Sequence, residues 1–127
     1  MTDLPSSTAM FKRIALIGIG LIGSSISHAC RRAGLAGEIV GSSATAATRQ
    51  KALDLGLVSR AFDTAADAVA GADLVILCAP VGAYAAIAAA IGPHLATGAI
   101  VTDVGSVKAA VVRDVGPHVP AGVHFIP

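Results

Sequence analysis

The sequence predicts an α/β domain built on a doubly wound parallel sheet. Three observations predict it. Apolar runs of strand length alternate with helical stretches at short spacing, the strands are apolar throughout rather than on every second residue, and a glycine-rich turn joins the first strand to the first helix. Strands apolar on both sides need cover on both sides, and successive βα units supply it. A length of 127 residues fits one such domain and is too short for two ordinary ones.

The elements follow in order. Residues 1–11 are polar (Thr2, Asp3, Ser6, Ser7, Thr8) without periodicity and read as a loose leader, so the domain is taken as 12–127. Residues 12–18 form the first strand, and 21–32 a helix with Leu21, Ser25 and Ile26 on one face. Arg31 and Arg32 suit its negative end, and Gly34 its C-terminal cap. A strand at 38–42, a helix at 45–55 closed by Gly56 and a weaker strand at 58–62 come next. Thr64 with Asp67 three residues on resembles a capping box opening a short helix that ends at Gly71. The apolar run 73–78 is a strand, 83–91 a helix, 100–103 a strand, 107–115 a helix, and 123–126 begins a last strand. No internal repeat or linker interrupts the pattern. The chain stops inside that last strand signal without a closing helix, which leads to the expectation of a domain truncated at its C-terminal end, with the second half of a larger protein missing.

Composition narrows the function. With 54% hydrophobic and 13% charged residues and a mean hydropathy of +0.76, the chain is too apolar for disorder. Its 27 Ala and 14 Gly make the apolar surplus small side chains that pack closely. The aromatics are Phe11, Phe62, Phe125 and Tyr84, too few for a base-stacking platform, and a net charge of +1 offers no footprint on a duplex, so nucleic acid is not expected as a partner. Cys30 and Cys78 both lie in apolar stretches, which excludes a disulfide framework and points to a reducing, cytoplasmic setting. Residues 14–30 and 74–102 lack Asp, Glu, Lys and Arg and imitate a signal sequence and a membrane span. Gly and Ser dilute the first, while Pro80, Gly82, Gly92, Pro93 and Gly98 break the second, so neither a membrane nor a secretory route is expected.

The strongest chemical signal is Gly18-Ile19-Gly20-Leu21-Ile22-Gly23, which leaves a strand and opens a helix, as a dinucleotide fingerprint must. Gly18 permits the tight turn, Gly20 lets backbone approach a pyrophosphate, and Gly23 lets the helix pack against the strand. Leu21 and Ile22 add free N–H groups at the positive end of the helix. Where the second strand ends, an acid would read the 2′-hydroxyl of the adenosine ribose. This chain has Ser42 and Ser43, and Ser43, Thr45 and Arg49 could instead donate to a 2′-phosphate. Equally, Ser43 or Thr45 caps the following helix. NAD and NADP both stay open. His28, His94, His118 and His124 show no metal-ligand spacing, so no metal site is expected.

The glycine turn, Leu77-Cys78-Ala79-Pro80-Val81, Thr102-Asp103-Val104-Gly105-Ser106-Val107-Lys108 and His124-Phe125-Ile126-Pro127 together resemble the prephenate dehydrogenases, also called cyclohexadienyl or arogenate dehydrogenases. The resemblance spans 12–127, and the Asp-x-Gly-Ser-x-Lys segment is its most specific part. It implies oxidative decarboxylation of prephenate or arogenate on the way to tyrosine, with hydride passed to NAD or NADP. Ala79, Pro80 and Val81 match the loop that lines the nucleotide, beside Gly105. Ser106 matches a serine next to the nicotinamide and the substrate hydroxyl. From its position Ser106 also fits the N-cap of helix 107–115, and the two roles are compatible. Lys108 reads as a solvated helix charge. The resemblance further implies a histidine after the last strand and a helical second domain that carries the substrate-carboxylate arginine and the homodimer contact. The fragment is accordingly expected to be inactive alone. Two other readings stay open: another hydroxyacid-dehydrogenase-type oxidoreductase, and a non-enzymatic NAD(P)-sensing module.

Overall fold

A computed structural model describes residues 9–127. Most of the expected leader lies outside the described residues, and Phe11 is already the first residue of a strand. The elements are β1 (Phe11–Ile17), α1 (Leu21–Arg32), β2 (Ala36–Ser42), α2 (Ala46–Asp54), β3 (Arg60–Phe62), α3 (Ala65–Val69), β4 (Leu74–Leu77), α4 (Tyr84–Ile91), β5 (Ile100–Asp103), α5 (Lys108–Val115) and β6 (His124–Ile126). All neighbouring strands pair parallel in the order β3-β2-β1-β4-β5-β6, the order of a doubly wound dinucleotide-binding sheet.

The predicted double cover is present, and the two-residue period of β1 divides it. Ile14 and Leu16 face one way with Ile39, Leu74 and Ile76, packing against Cys30 of α1, Ala52 of α2, Leu57 and Val58. Ala15 and Ile17 face the other way with Val40, Val75, Leu77 and Val101, covered by Val69, Tyr84, Ala88, Ile91, Val111 and Val115 of α3, α4 and α5. The small residues of α1 are what allow its approach to the sheet: Gly23 and Ser27 are buried, and the Ser27 hydroxyl donates to the Leu57 carbonyl.

Helix ends behave largely as composition predicts. Gly34 and Gly56 adopt φ of +66° and +69°, one residue beyond the caps of α1 and α2. Behind each, paired N–H bonds run back to the last turn: Gly34 to Arg31 with Leu35 to Cys30, and Gly56 to Leu53 with Leu57 to Ala52. Thr64 accepts the Asp67 N–H at 3.2 Å, as the capping reading of α3 requires. The tripeptide Gly-Pro-His closes both α4 and α5 as a single 3₁₀ turn, at 92–94 and 116–118. Gly92 is packed so closely that a Cβ there would lie 2.6 Å from the His118 carbonyl oxygen, which ties the two turns together. The two turns lie between α4 and β5 and between α5 and β6.

Candidate functional site

The sheet changes winding direction between β1 and β4, and there the loops leaving the strand ends diverge. Backbone bonds extend the ladder just past the strands: Gly18 N–H to Ser42 O at 3.0 Å, Cys78 N–H to Ile17 O at 2.8 Å and Ser43 N–H to Phe62 O at 3.1 Å. Between the loops lies a cleft of about 470 Å³. Gly18, Gly20, Ser42, Ser43, Ala79 and Pro80, all singled out in the sequence, line it.

Each glycine of the turn meets a different demand. Gly18 has φ +98°, and a Cβ on it would stand 2.8 Å from the Ala79 nitrogen, so the β1 and β4 loops touch backbone to backbone. A Cβ on Gly23 would lie 2.9 Å from the Gly18 carbonyl oxygen, which holds α1 against its own strand. Around a Cβ on Gly20 there is nothing within 4 Å: it is the extended N-cap of α1 and faces open cleft. Gly20 O accepts the Ser24 N–H at 2.9 Å and the Ser24 hydroxyl at 2.8 Å. The first turn holds no acidic residue, and no side chain caps it. Leu21 and Ile22 are exposed at the cleft's edge but do not line it. The result is a helix N-terminus that presents N–H groups and positive dipole to an open space, suited to an anion.

At the far end of the cleft the structure corrects the capping expectation. Neither Ser43 nor Thr45 closes α2 with its hydroxyl: Thr45 is the N-cap without a side-chain bond, and Ser43 Oγ accepts the Thr45 N–H at 3.3 Å, outside the helix. Arg49 does not line the cleft. It donates to the Ser43 carbonyl at 2.6 Å and so braces the loop from behind. Thr48 and Asp63 also face the cleft, and the sequence reading missed both. Asp63 follows β3 as Ser43 follows β2, so the same rule of strand ends would have found it.

The Ser106 expectation is also corrected. α5 starts at Lys108 with Val107 as N-cap, and Ser106 is an exposed turn residue that does not cap the helix. Lys108, the first residue of α5, pairs with Asp103 at 2.7 Å. Lys108 is therefore a bonded group rather than a merely solvated charge. Gly105, Ser106 and Val81 do not line the cleft; a Cβ on Gly105 would lie 3.2 Å from Val81 Cγ2, and Val81 follows Pro80 of the cleft wall.

Cys78 lines the cleft, and burial pushes its thiol pKa from 9.0 up to about 11. A raised pKa means that the neutral thiol is the folded form at neutral pH, and that ionisation lowers stability as pH climbs from 9 towards 11. At pH 8 the thiolate fraction is about 100-fold below that of an unperturbed thiol. Iodoacetamide at pH 8 should therefore modify Cys78 very slowly, with a rate still climbing above pH 9, as peptide mass spectrometry would record. Complete modification within minutes at pH 7 would contradict the burial.

His28, His94, His118 and His124 are all exposed, and among the described residues no group of three or more His, Cys, Asp or Glu gathers as a metal site would need. No helix among the described residues is long and apolar enough to cross a membrane.

A six-stranded parallel sheet, opening at its switch point into a glycine-floored cleft against a bare helix N-terminus, defines the class of doubly wound nucleotide-binding domains. Within that class the chain belongs to the family described as prephenate dehydrogenase, nucleotide-binding domain, whose model matches residues 26–127. It is 40% identical over 113 residues to a cyclohexadienyl dehydrogenase of Zymomonas mobilis, covering 87% of this chain and 38% of that protein. Among solved structures, it is similar to the prephenate dehydrogenase of A. aeolicus in complex with hydroxyphenyl propionate and NAD+ (30% identity, TM-score 0.79, 88% of this chain and 40% of that one). It is also similar to the Synechocystis arogenate dehydrogenase (33% identity, TM-score 0.76, 84% of this chain and 37% of that one). The chain thus spans about two fifths of the length of these relatives.

Proposed function

We propose that this chain is the NAD(P)-binding part of a dehydrogenase that oxidatively decarboxylates prephenate or arogenate. The observation that carries the reading is the open N-terminus of α1 behind Gly20, where no atom lies within 4 Å of the place a Cβ would take and a pyrophosphate can reach backbone N–H groups. The relatives' names, and the NAD+ in one of their structures, support the same chemistry. A bound nicotinamide supplies the hydride acceptor. The chain's own residues bind and orient it: Gly18, Gly20, Leu21, Ile22 and Gly23 form the pyrophosphate seat, while Ala79, Pro80 and Val81 make an apolar wall that keeps water off the reacting face. Ser42 and Ser43 form the adenosine-ribose end, with Arg49 bracing that loop through the Ser43 carbonyl, and Gly105 with Ser106 borders the nicotinamide end. Ser106 is the group that hydrogen-bonds the ring hydroxyl of the substrate. In this reading the domain is cytoplasmic, and homodimer contacts come from a helical domain.

Calorimetric titration with NAD+ and NADP+ tests the reading, and no heat with either would overturn it. The same titration resolves the ribose end. Ser43→Asp should shift preference towards NAD+ by about 1–3 kcal/mol, through a charge-assisted bond to the 2′-hydroxyl and repulsion of a 2′-phosphate. An unchanged ratio of the two affinities would remove Ser43 from the site and leave it as a brace for the loop.

A further inference from the structure

The turn between β5 and α5 is built round a buried carboxylate that the proposed reaction does not use. Asp103 ends β5 with its side chain fully out of solvent, whereas the Lys108 side chain paired with it is half exposed. Asp103 Oδ2 accepts from Lys108 Nζ at 2.7 Å and from the Gly105 N–H at 2.7 Å. Oδ1 is also buried and has no hydrogen-bond partner among the described residues. Such a pair is poor at stabilising a fold, because desolvating a carboxylate offsets much of what the pairing returns, and apolar residues of similar volume often do as well. What the pair does provide is position. One carboxylate joins the end of a central strand, the turn residue before Ser106 and the first residue of α5.

The turn has no slack. A Cβ on Gly105 would lie 2.9 Å from Asp103 Oδ2, 3.0 Å from Val111 Cγ2 and 3.2 Å from Val81 Cγ2, so carboxylate, turn, helix and the β4–α4 loop are locked in one contact. Below it the buried Tyr84 hydroxyl donates to the Leu77 carbonyl at 2.9 Å, and the Val104 N–H bonds the same carbonyl at 3.2 Å. The strand order sets these groups one strand beyond β4, on the side of the cleft away from β2 and Ser43.

We propose that Asp103 is a positioning residue: with Lys108 and the Gly105 N–H it holds the 104–107 turn, and hence Ser106 and Val81, against the nicotinamide half of a bound dinucleotide. The proposal rests on the NAD(P)-binding reading above and adds a division of labour to it. The glycine turn holds the pyrophosphate, and the Asp103 latch holds the nicotinamide end.

Two probes separate these halves. ADP-ribose carries adenosine, pyrophosphate and ribose but no nicotinamide. The reduced dinucleotide, NADH or NADPH, whichever the unaltered chain binds more tightly, carries it and reports its surroundings by fluorescence. Asp103→Asn in the full chain should weaken the reduced dinucleotide by about ten-fold and remove its fluorescence enhancement, while ADP-ribose affinity stays within about two-fold. Lys108→Ala should act the same way, and Lys108→Arg, which can still donate to Oδ2, should restore both signals. Should Asp103→Asn fail to fold, the two Lys108 variants decide by the same comparison. Unchanged binding of both probes in Lys108→Ala would overturn the latch, and so would equal weakening of both, the mark of a merely structural role. If the unaltered chain binds neither probe, the nucleotide-binding reading itself fails and takes the latch with it.

Discussion

Gly20→Val is expected to abolish nucleotide binding while leaving the fold intact. The two effects separate because Gly20 is the member of the glycine turn whose Cβ, if it had one, would have nothing within 4 Å beyond its chain neighbours, so a side chain can start there without a clash. Its backbone is extended at φ −113°, ψ −158°, a region that valine adopts without strain. The folding cost is limited to replacing glycine at an N-cap, of the order of 1 kcal/mol or less. The isopropyl group instead occupies the space in front of the first-turn amides of α1. A pyrophosphate held off those amides loses its hydrogen bonds and the helix dipole together, and at least two or three charge-assisted bonds of about 1.5–3 kcal/mol each are at stake. Calorimetric titration with NAD+ and NADP+ should show affinity falling by roughly 100-fold or more, with a thermal transition within a few degrees of that of the unaltered chain. Unchanged affinity would mean that the glycine turn serves packing alone.

How far the sequence predicts such outcomes depends on whether the cause is local. The glycine turn is legible because three glycines between a strand and a helix meet backbone demands that only a few arrangements satisfy. The double cover of the sheet is legible from strands apolar on both faces, and Ile14 and Ala15 divide between the two cores as a two-residue period requires. The C-terminal glycines of α1 and α2 are legible because a left-handed residue past a helix end has a sequence signature.

Other features turn on distance through space. Lys108 resembles a surface charge because nothing near it in sequence says that the Asp103 side chain, at the end of β5, is fully buried. α5 starts at Lys108 with Val107 as N-cap, so Ser106 lies one residue outside the capping position that its spacing suggests. Arg49 has the place after Ser43 that a phosphate donor would take, but its guanidinium already has an acceptor in the Ser43 carbonyl. Asp63 comes to the cleft because β3 pairs beside β2, a register that a three-residue strand hardly announces.

Gly18→Ala is the counterpart to Gly20→Val: it should cost both fold and binding. Gly18 has φ +98°, outside the regions that an L-residue with a Cβ occupies comfortably, and forcing alanine there costs about 1–2 kcal/mol. The added Cβ would also lie 2.8 Å from the Ala79 nitrogen and 3.0 Å from its Cα, and these are backbone atoms that cannot rotate away. The β4 loop must move, at a cost of about 1–3 kcal/mol, typical of overpacking. Moving it strains the Cys78 N–H bond to Ile17 O, 2.8 Å long, and the Ala79–Pro80 wall of the cleft with it. The expected result is a loss of about 2–5 kcal/mol in denaturant unfolding at unchanged m-value, together with at least ten-fold weaker binding of NAD+ and NADP+. Binding should weaken even where the variant is fully folded, because the displaced loop is a wall of the site. A variant that unfolds at the same denaturant concentration as the unaltered chain would show that the β1 and β4 loops do not meet at Gly18. One that is destabilised but binds normally would show that the 79–80 loop does not contribute to the nucleotide site.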